Sequence, residues 1–184
     1  MSSAEERSSL RQSFKSARAA VDDPERRAEI IAQYLAPMIT ALDRVAAYQA
    51  MPGEVSLEPL FQTRTDQVWG LPRTGANHTM TFHAWSRGEE LEKGEFGIAV
   101  PSASAAIIDC SIILIPLVAF DDHGTRLGMG GGFYDRYLSQ LPIGTPKIGV
   151  AFDCQRSGTP LPKEVWDVTL SKVVTESGVL EFAD

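Results

Sequence analysis

The segment at residues 112–138 constrains the fold of this chain more than any other. It begins with the apolar run IILI at residues 112–115, which has the length and composition of a strand buried on both faces of a sheet. Pro116 ends the run, and a polar loop then leads into four closely spaced glycines and a helical pattern at residues 133–138. A buried strand followed by a loop and a helix is the repeating unit of α/β folds with a parallel sheet.

The glycines favour an anion-binding loop beyond the end of this strand. They are Gly128, Gly130, Gly131 and Gly132. Glycine permits positive φ angles and close approach of the backbone, so successive N–H groups can converge on phosphate oxygens. Arg126 precedes the glycines and could bind phosphate, and Asp135 follows them and could bind magnesium. The spacing matches neither the P-loop nor the dinucleotide-binding pattern, so a tight turn with close helix packing is left as the alternative.

Length and charge narrow the class of protein. The chain has 184 residues, of which 43% are hydrophobic and 22% charged, so we expect a single domain over residues 1–184. The net charge of -7 argues against nucleic acid or an anionic membrane surface as a partner. Any anion site must therefore be local and suited to small molecules. A polar N-terminal sequence, and the lack of any apolar run near about 18 residues, predict a cytoplasmic protein. Oligomeric state is not predicted.

The cysteines and histidines do not predict a metal centre. Cys110 and Cys154 lie on or beside predicted buried strands without metal-ligand spacing, and we interpret both as reduced core residues. His78, His83 and His123 are not clustered with other ligand types in the sequence, so neither a metal-binding nor a catalytic histidine is expected.

A row of cations marks a helix predicted at residues 5–21. The cations recur at intervals of four, four and three, at Arg7, Arg11, Lys15 and Arg18. Apolar residues recur on the adjoining face, so one stripe of the helix can pack while the other presents positive charge. In an acidic chain this concentration favours a phosphate site, and the alternative is a solvated basic face.

The remaining periodicity alternates helical stretches with short strands. A helix is predicted to start at Asp22 or Asp23, with Pro24 in its first turn. Pro37 is expected to bend or end it, with a short continuation to about residue 42. A further helix is expected at residues 58–67. Strands are expected at residues 45–51, 68–72, 80–85, 106–115, 147–152 and 172–175. The predicted fold class is therefore α/β, a mainly parallel sheet with helices on both faces.

Two side chains beyond strand ends are candidate ligand contacts. Glu54 follows the strand predicted at residues 45–51, and open α/β sheets bind ligands beyond the carboxyl ends of their strands. Its alternative is an exposed loop carboxylate. Trp85 ends another predicted strand and could stack on a flat ligand, although core or rim packing is the alternative.

The string RLGMGGGFYDR at residues 126–136, following LIPLVAFD, resembles the signature of the 5-formyltetrahydrofolate cyclo-ligase family, also called 5,10-methenyltetrahydrofolate synthetase. The resemblance covers nearly the whole chain, strongly at residues 109–175. It implies a three-layer Rossmann-like fold similar to the NagB/RpiA/CoA-transferase group. It also implies ATP- and Mg²⁺-dependent conversion of 5-formyltetrahydrofolate to 5,10-methenyltetrahydrofolate, ADP and phosphate. A non-catalytic nucleotide- or folate-binding module and a sugar-phosphate or CoA-processing enzyme are the alternatives.

The resemblance also implies roles for individual residues. The family's basic N-terminal helix and glycine string imply nucleotide contacts by Arg7, Arg11, Arg126, Leu127, Gly128, Met129, Gly130, Gly131, Gly132, Phe133 and Tyr134. The segment YQAMPGEV implies folate contacts by Gln49 and Glu54, with Trp85 as a possible stacking ring for the pterin. Arg126, Tyr134 and Asp135 are the implied catalytic residues, and Asp135 is the implied magnesium ligand, with Asp167 as a second candidate or a loop cap.

The chain also departs from the family pattern. Arg7 stands where relatives often have lysine, which keeps the charge but changes its geometry. Val100 stands where a glutamate commonly precedes proline. Ser171 and Lys172 offer no second carboxylate. The last two departures leave the binding-module alternative open.

Overall fold

The computed structural model of the chain describes residues 3–182. The helices are α1 (Ser3–Ala19), α2 (Pro24–Leu35), α3 (Glu58–Thr63) and α4 (Phe133–Leu138). The strands are β1 (Val45–Ala46), β2 (Trp69–Thr74), β3 (Met80–Trp85), β4 (Glu92–Lys93), β5 (Ala99–Val100), β6 (Ile112–Pro116), β7 (Ala119–Phe120), β8 (Arg126–Leu127), β9 (Lys147–Val150), β10 (Lys172–Thr175) and β11 (Gly178–Glu181).

A seven-stranded sheet of order β11-β10-β9-β6-β1-β2-β3 forms the centre of the fold. Strands β2, β1, β6, β9 and β10 run parallel, and β3 and β11 pair antiparallel at the two edges. The prediction of a mixed α/β fold with a mainly parallel sheet is confirmed. The antiparallel strand β11 was not predicted, although the Ser177–Gly178 pair before it is a short turn signal.

Strand β6 carries alternate side chains to the two faces of the sheet. Ile112 and Leu114 belong to a core cluster with residues of α2 and α3, whereas Ile113 and Ile115 belong to a second cluster against α4. Since successive side chains of a strand point to opposite faces, the helices cover both faces of the sheet. The further likeness to the NagB/RpiA/CoA-transferase group stays a prediction.

Several predicted boundaries change in the structure. The strand predicted at residues 45–51 ends at Ala46, and the chain continues as extended backbone toward the site. The strand predicted at residues 106–115 begins only at Ile112. The helix predicted at residues 58–67 ends at Thr63. Strands β3 and β10 have the predicted bounds. Cys110 is buried as predicted, but Cys154 is exposed in a short 3₁₀ turn after β9, so its assignment to the core was wrong.

Helix α1 is held on the core chiefly by polar contacts. Its small apolar contact places Leu10 and Phe14 against Ala119, Leu127 and Leu161. The one residue of α1 that is buried is an arginine, Arg18. The predicted cation row therefore faces the protein at several positions and is not a fully solvated face. Within residues 3–182, no helix combines the length and apolar character needed to cross a membrane.

Candidate active site

A cleft of about 510 Å³ lies beyond the carboxyl ends of β1 and β6. Its walls come from α1, from the segment after β1, from the glycine loop with the start of α4, and from residues 166–167. Elements far apart in the sequence meet here because the parallel strands end at one edge of the sheet. This is the edge at which open α/β sheets bind ligands.

Most of the predicted site residues line this one cleft. They are Arg7, Arg11, Gln49, Glu54, Arg126, Gly128, Met129, Gly130, Gly131, Gly132, Phe133, Tyr134, Asp135 and Asp167. The sequence placed these residues in a common site although they span most of the chain. Their individual roles remain predictions.

The glycine loop adopts the backbone conformations that its sequence predicts. Gly130 has φ 104° and Gly132, the N-cap of α4, has φ 68°. Residues that carry a side chain rarely adopt these backbone angles, so substitution at either position would strain the loop. The Gly128 carbonyl accepts a hydrogen bond from Nε of Arg11 at 2.9 Å, which ties α1 to the loop. The guanidinium of Arg11 also lies close over Gly130.

Arg7 forms an ion pair with Asp167 at the edge of the cleft. Its Nη1 and Nη2 lie 2.7 and 3.5 Å from the two carboxylate oxygens of Asp167. Burial alone would raise the pKa of Asp167, but the hydrogen bonds from Arg7 and from the Glu164 N–H outweigh it and lower that pKa. Burial and the nearby Arg7 lower the pKa of Arg11. Nη1 of Arg7 also lies 4.0 Å from Oε1 of Glu164, so two cations and two carboxylates meet at this edge.

Arg126 and Asp135 form a second pair, in which the arginine is more buried than Arg7 but the carboxylate is more exposed than Asp167. Nη2 of Arg126 lies 2.6 Å from Oδ1 of Asp135, and the guanidinium also donates to the Val168 carbonyl. The Val168 N–H donates to the same Asp135 oxygen at 3.2 Å. Asp135 is therefore adjacent to the segment that carries Asp167, and both carboxylates face one cleft. The direct contact between Arg126 and Asp135 was not predicted.

Glu54 supplies a buried carboxylate at the other end of the cleft. Its side chain is 6% exposed, and Nη1 of Arg18 lies 3.7 Å from Oε1. The Met51 N–H donates to Oε2 at 3.0 Å. Burial raises the pKa of Glu54, and the Met51 N–H and Arg18 oppose part of that shift. The alternative of an exposed loop carboxylate is therefore wrong.

Tyr134 presents a buried hydroxyl beside Glu54. Among the described residues, its Oη has no hydrogen-bond partner. Burial, followed by the charge of Glu54, raises the pKa of Tyr134, so the phenol stays protonated. Since a buried polar group without a partner is destabilising, an unsatisfied hydroxyl in a cleft is a candidate ligand contact.

Known proteins resemble this chain in sequence and in architecture. The sequence model of the 5-formyltetrahydrofolate cyclo-ligase family matches residues 3–176. The chain belongs to the 5-formyltetrahydrofolate cyclo-ligase family. The resemblance inferred from residues 126–136 is confirmed, and so is the assignment of the chain to a family of ligases.

Individual relatives of the cyclo-ligase family agree over most of the chain. The 5-formyltetrahydrofolate cyclo-ligase of Escherichia coli is 34% identical over 162 residues, which cover 79% of this chain and 85% of the relative. The NMR structure of the Aquifex aeolicus 5,10-methenyltetrahydrofolate synthetase has a TM-score of 0.83 and 31% identity, covering 97% of this chain and 93% of that one. The Mycoplasma pneumoniae synthetase, at 24% identity and TM-score 0.74, has the same fold and covers 92% and 98%.

Two residues predicted for the cyclo-ligase site lie outside the cleft. Trp85 was predicted to stack on the pterin, but it is 5% exposed in the core and packs edge to face on Phe61, with ring centroids 5.3 Å apart. Its Nε1 donates to the Glu89 carbonyl. Leu127 was predicted to contact nucleotide, but its side chain is fully buried beneath α1. Both are large apolar side chains at strand ends, and both pack in the protein interior instead of lining the cleft.

Other residues of the cyclo-ligase cleft were not predicted. Tyr48 lines it while donating its hydroxyl to the Val55 carbonyl at 2.8 Å. Trp166 lies at the mouth and is 67% exposed. Arg18 does not line the cleft itself, but its Nη1 lies 3.7 Å from Oε1 of Glu54. A signal was present for two of them, because Arg18 belongs to the cation row and Trp166 directly precedes Asp167. Val100 lines the cleft as a buried apolar side chain.

Proposed function

We propose that this chain converts 5-formyltetrahydrofolate to 5,10-methenyltetrahydrofolate with conversion of ATP to ADP and phosphate. The observation that carries this proposal is that one cleft has two chemically different ends. One end carries arginines and a glycine loop, and the other carries a buried carboxylate and an unsatisfied phenol. A phosphoryl donor and a reduced pterin need these two kinds of site side by side.

The reaction needs phosphorylation because the formyl oxygen on N5 is a poor leaving group. The formyl oxygen attacks the γ-phosphate of ATP, the bond to the β-phosphate oxygen breaks and ADP leaves. N10 then bonds to the activated carbon and loses its proton, and phosphate departs to give the methenyl product. A protein catalyses these steps by positioning the reactants and neutralising phosphate charge, so no covalent nucleophile is required.

The nucleotide belongs at the arginine end. Arg7 and Arg11 supply positive charge from α1, and four of the five residues at 128–132 are glycines, which have no side chain to fill the site. Arg126 is bound to Asp135 in the structure, so it supports the phosphate site either by holding that carboxylate or by sharing its guanidinium with phosphate. These contacts support a nucleotide whose terminal phosphates lie along the loop.

The pterin belongs at the Glu54 end. A pterin ring presents neighbouring N–H and amino donors, which a carboxylate can accept together. Glu54 faces the cleft, Gln49 lies on the same segment, and the Tyr134 hydroxyl is available as a donor. Apolar side chains such as Met80 and Leu117 complete this end of the cleft and suit a flat ring.

Asp135 and Asp167 are the residues that fit magnesium. Across residues 3–182, no group of three or more His, Cys, Asp or Glu side chains is arranged to hold a metal ion. Magnesium bound through nucleotide phosphates needs only one or two protein carboxylates, and these two both line the cleft, where Asp135 accepts from the N–H of the residue that follows Asp167. When bound, the ion would neutralise phosphate charge. Arg7 contacts both oxygens of Asp167, whereas Arg126 and the Val168 N–H both contact Oδ1 of Asp135, so Asp135 is the principal ligand in this proposal.

The same proposal includes a single domain located in the cytoplasm. It also includes a three-layer arrangement similar to the NagB/RpiA/CoA-transferase group. The matching solved structures cover nearly the whole chain, which supports one domain.

Absorbance of the methenyl product tests the proposal directly. Product should form only when ATP, Mg²⁺ and 5-formyltetrahydrofolate are present together, and omission of any one should stop it. Of the three tryptophans, Trp69 and Trp85 are buried, so ligand-dependent fluorescence reports mainly on Trp166 at the cleft mouth. A fluorescence response to ATP without any product would instead support a binding module, which the apolar wall at Val100 favours.

A further inference from the structure

Helix α1 buries an arginine where an amphipathic helix ordinarily buries an apolar side chain. Arg18 is 5% exposed and does not line the cleft. Its Nη1 donates to the Leu117 carbonyl at 3.1 Å, directly after β6, and lies 3.7 Å from Oε1 of Glu54. Taking a guanidinium out of water is unfavourable unless its new partners compensate. The arrangement therefore points to a requirement for charge at this position.

The backbone around Glu54 is shaped to admit this arginine. Gly53 has φ 81°, and a Cβ there would lie 3.4 Å from Nε of Arg18. The turn is closed by reciprocal contacts, in which the Glu54 N–H donates to the Met51 carbonyl and the Met51 N–H donates to the Glu54 carboxylate. The guanidinium thus packs against the turn that aims Glu54 into the cleft.

Few charges balance the buried Glu54 carboxylate. Arg18 approaches from α1, Tyr48 from the segment after β1 and Tyr134 from α4, and both tyrosines interact electrostatically with Glu54. Arg126 acts on Tyr134 from β8. Of these groups, Arg18 is the cation in direct range of Glu54. Burial raises the pKa of Glu54, and the Met51 N–H and then the charge of Arg18 oppose that shift, so Arg18 is the cation that favours the ionised carboxylate.

We propose that Arg18 is a positioning residue that keeps Glu54 ionised and aimed at the pterin without touching substrate itself. This inference rests on the proposed function, because it assigns Glu54 to the folate end. It also gives α1 two tasks, since the same helix carries Arg7 and Arg11 on the nucleotide side.

The test compares Arg18→Met with Arg18→Lys in steady-state kinetics over a range of pH. Arg18→Met keeps length but removes charge, so Glu54 should hold its proton to higher pH. The KM for 5-formyltetrahydrofolate should rise on the order of tenfold near neutral pH and recover as pH rises, while the KM for ATP stays near the wild-type value. Arg18→Lys should restore part of the loss, which also covers the case in which Arg18→Met does not fold.

Two controls separate positioning from stability. Arg64 caps α3 and donates to the Ala36 and Ile39 carbonyls, far from the cleft, so Arg64→Met should change stability but not the pH profile of the folate KM. In a Glu54→Gln background, Arg18→Met should have little further effect on the folate KM, because the carboxylate it serves is gone.

Titration of the ¹³C-labelled Glu54 carboxyl, assigned with Glu54→Gln, needs no turnover. Arg18→Met should raise its midpoint, and Arg64→Met should not. An unchanged midpoint together with an unchanged folate KM overturns the inference about Arg18. A wild-type protein that makes no product overturns the proposed function instead, and the carboxyl titration still decides whether Arg18 keeps Glu54 ionised.

Discussion

The two ends of the cleft treat charge in opposite ways. At the nucleotide end, Arg7 and Arg126 already have carboxylate partners, Asp167 and Asp135, at 2.7 and 2.6 Å. At the folate end, Glu54 has one cation at 3.7 Å, and the Tyr134 hydroxyl has no partner among the described residues. In the proposed function, a bound phosphate and metal would rearrange the ion pairs of the first end. At the second end, the ligand would supply the missing partner of the Tyr134 hydroxyl.

Substitution of Asp135 is the strongest test of the difference between the two ends of the cleft. We expect Asp135→Asn to lower kcat on the order of a hundredfold or more, because the change removes charge needed for magnesium and frees Arg126. The circular dichroism spectrum should stay that of the wild type. Asp122→Asn, at an exposed carboxylate paired with Arg156 outside the cleft, is the matched control. Normal turnover in Asp135→Asn would refute the assignment of the metal end.

Glu54→Gln tests the unsatisfied end. Loss of a charge-assisted contact should reduce kcat/KM for 5-formyltetrahydrofolate by about tenfold to a hundredfold and leave the KM for ATP unchanged. Glu58→Gln, on α3 and paired with Arg87, should behave as wild type. An equal loss for both substrates would show that the two ends do not act separately.

Arg11→Met sharpens the comparison from the nucleotide side. The guanidinium holds the Gly128 carbonyl and lies over Gly130, so its removal should raise the KM for ATP about tenfold with little effect on folate. Lys15→Met removes a cation from the same row of α1 but outside the cleft and should leave both KM values unchanged. A larger effect on folate than on ATP would contradict the assignment.

Tyr134→Phe should give the smallest effect and two changes of opposite sign. Removing an unsatisfied buried hydroxyl should raise the free energy of unfolding by about 1 kcal/mol, measured by urea denaturation without ligand. The KM for folate should increase severalfold, because a ligand contact is lost. Tyr137→Phe, on the same helix but outside the cleft, is the control. Lower stability in Tyr134→Phe would show that the hydroxyl has a partner in the free protein.

The sequence predicted the features that depend on local chemistry. The glycine loop, strand β10 and the cation row of α1 all carry signals within a few residues, and the structure brings the glycine loop together with Arg7 and Arg11 in one cleft. The sequence did not predict that Arg126 binds Asp135, and for Trp85 it left open both stacking on a ligand and packing in the core, where the side chain lies. Those outcomes depend on which surfaces meet after folding, and neither periodicity nor residue type specifies a partner.

Both proposed substrate sites depend on how firmly helix α1 is attached to the rest of the protein. Its apolar contact with the core is small, and its remaining attachments to the cleft are guanidinium groups at Arg7, Arg11 and Arg18. An element held in this way can detach while the sheet stays folded, and amides of α1 should then exchange with solvent faster than those of β6. In the proposed function, such a partial opening would release nucleotide and pterin together, so the stability of α1 would affect the binding of both.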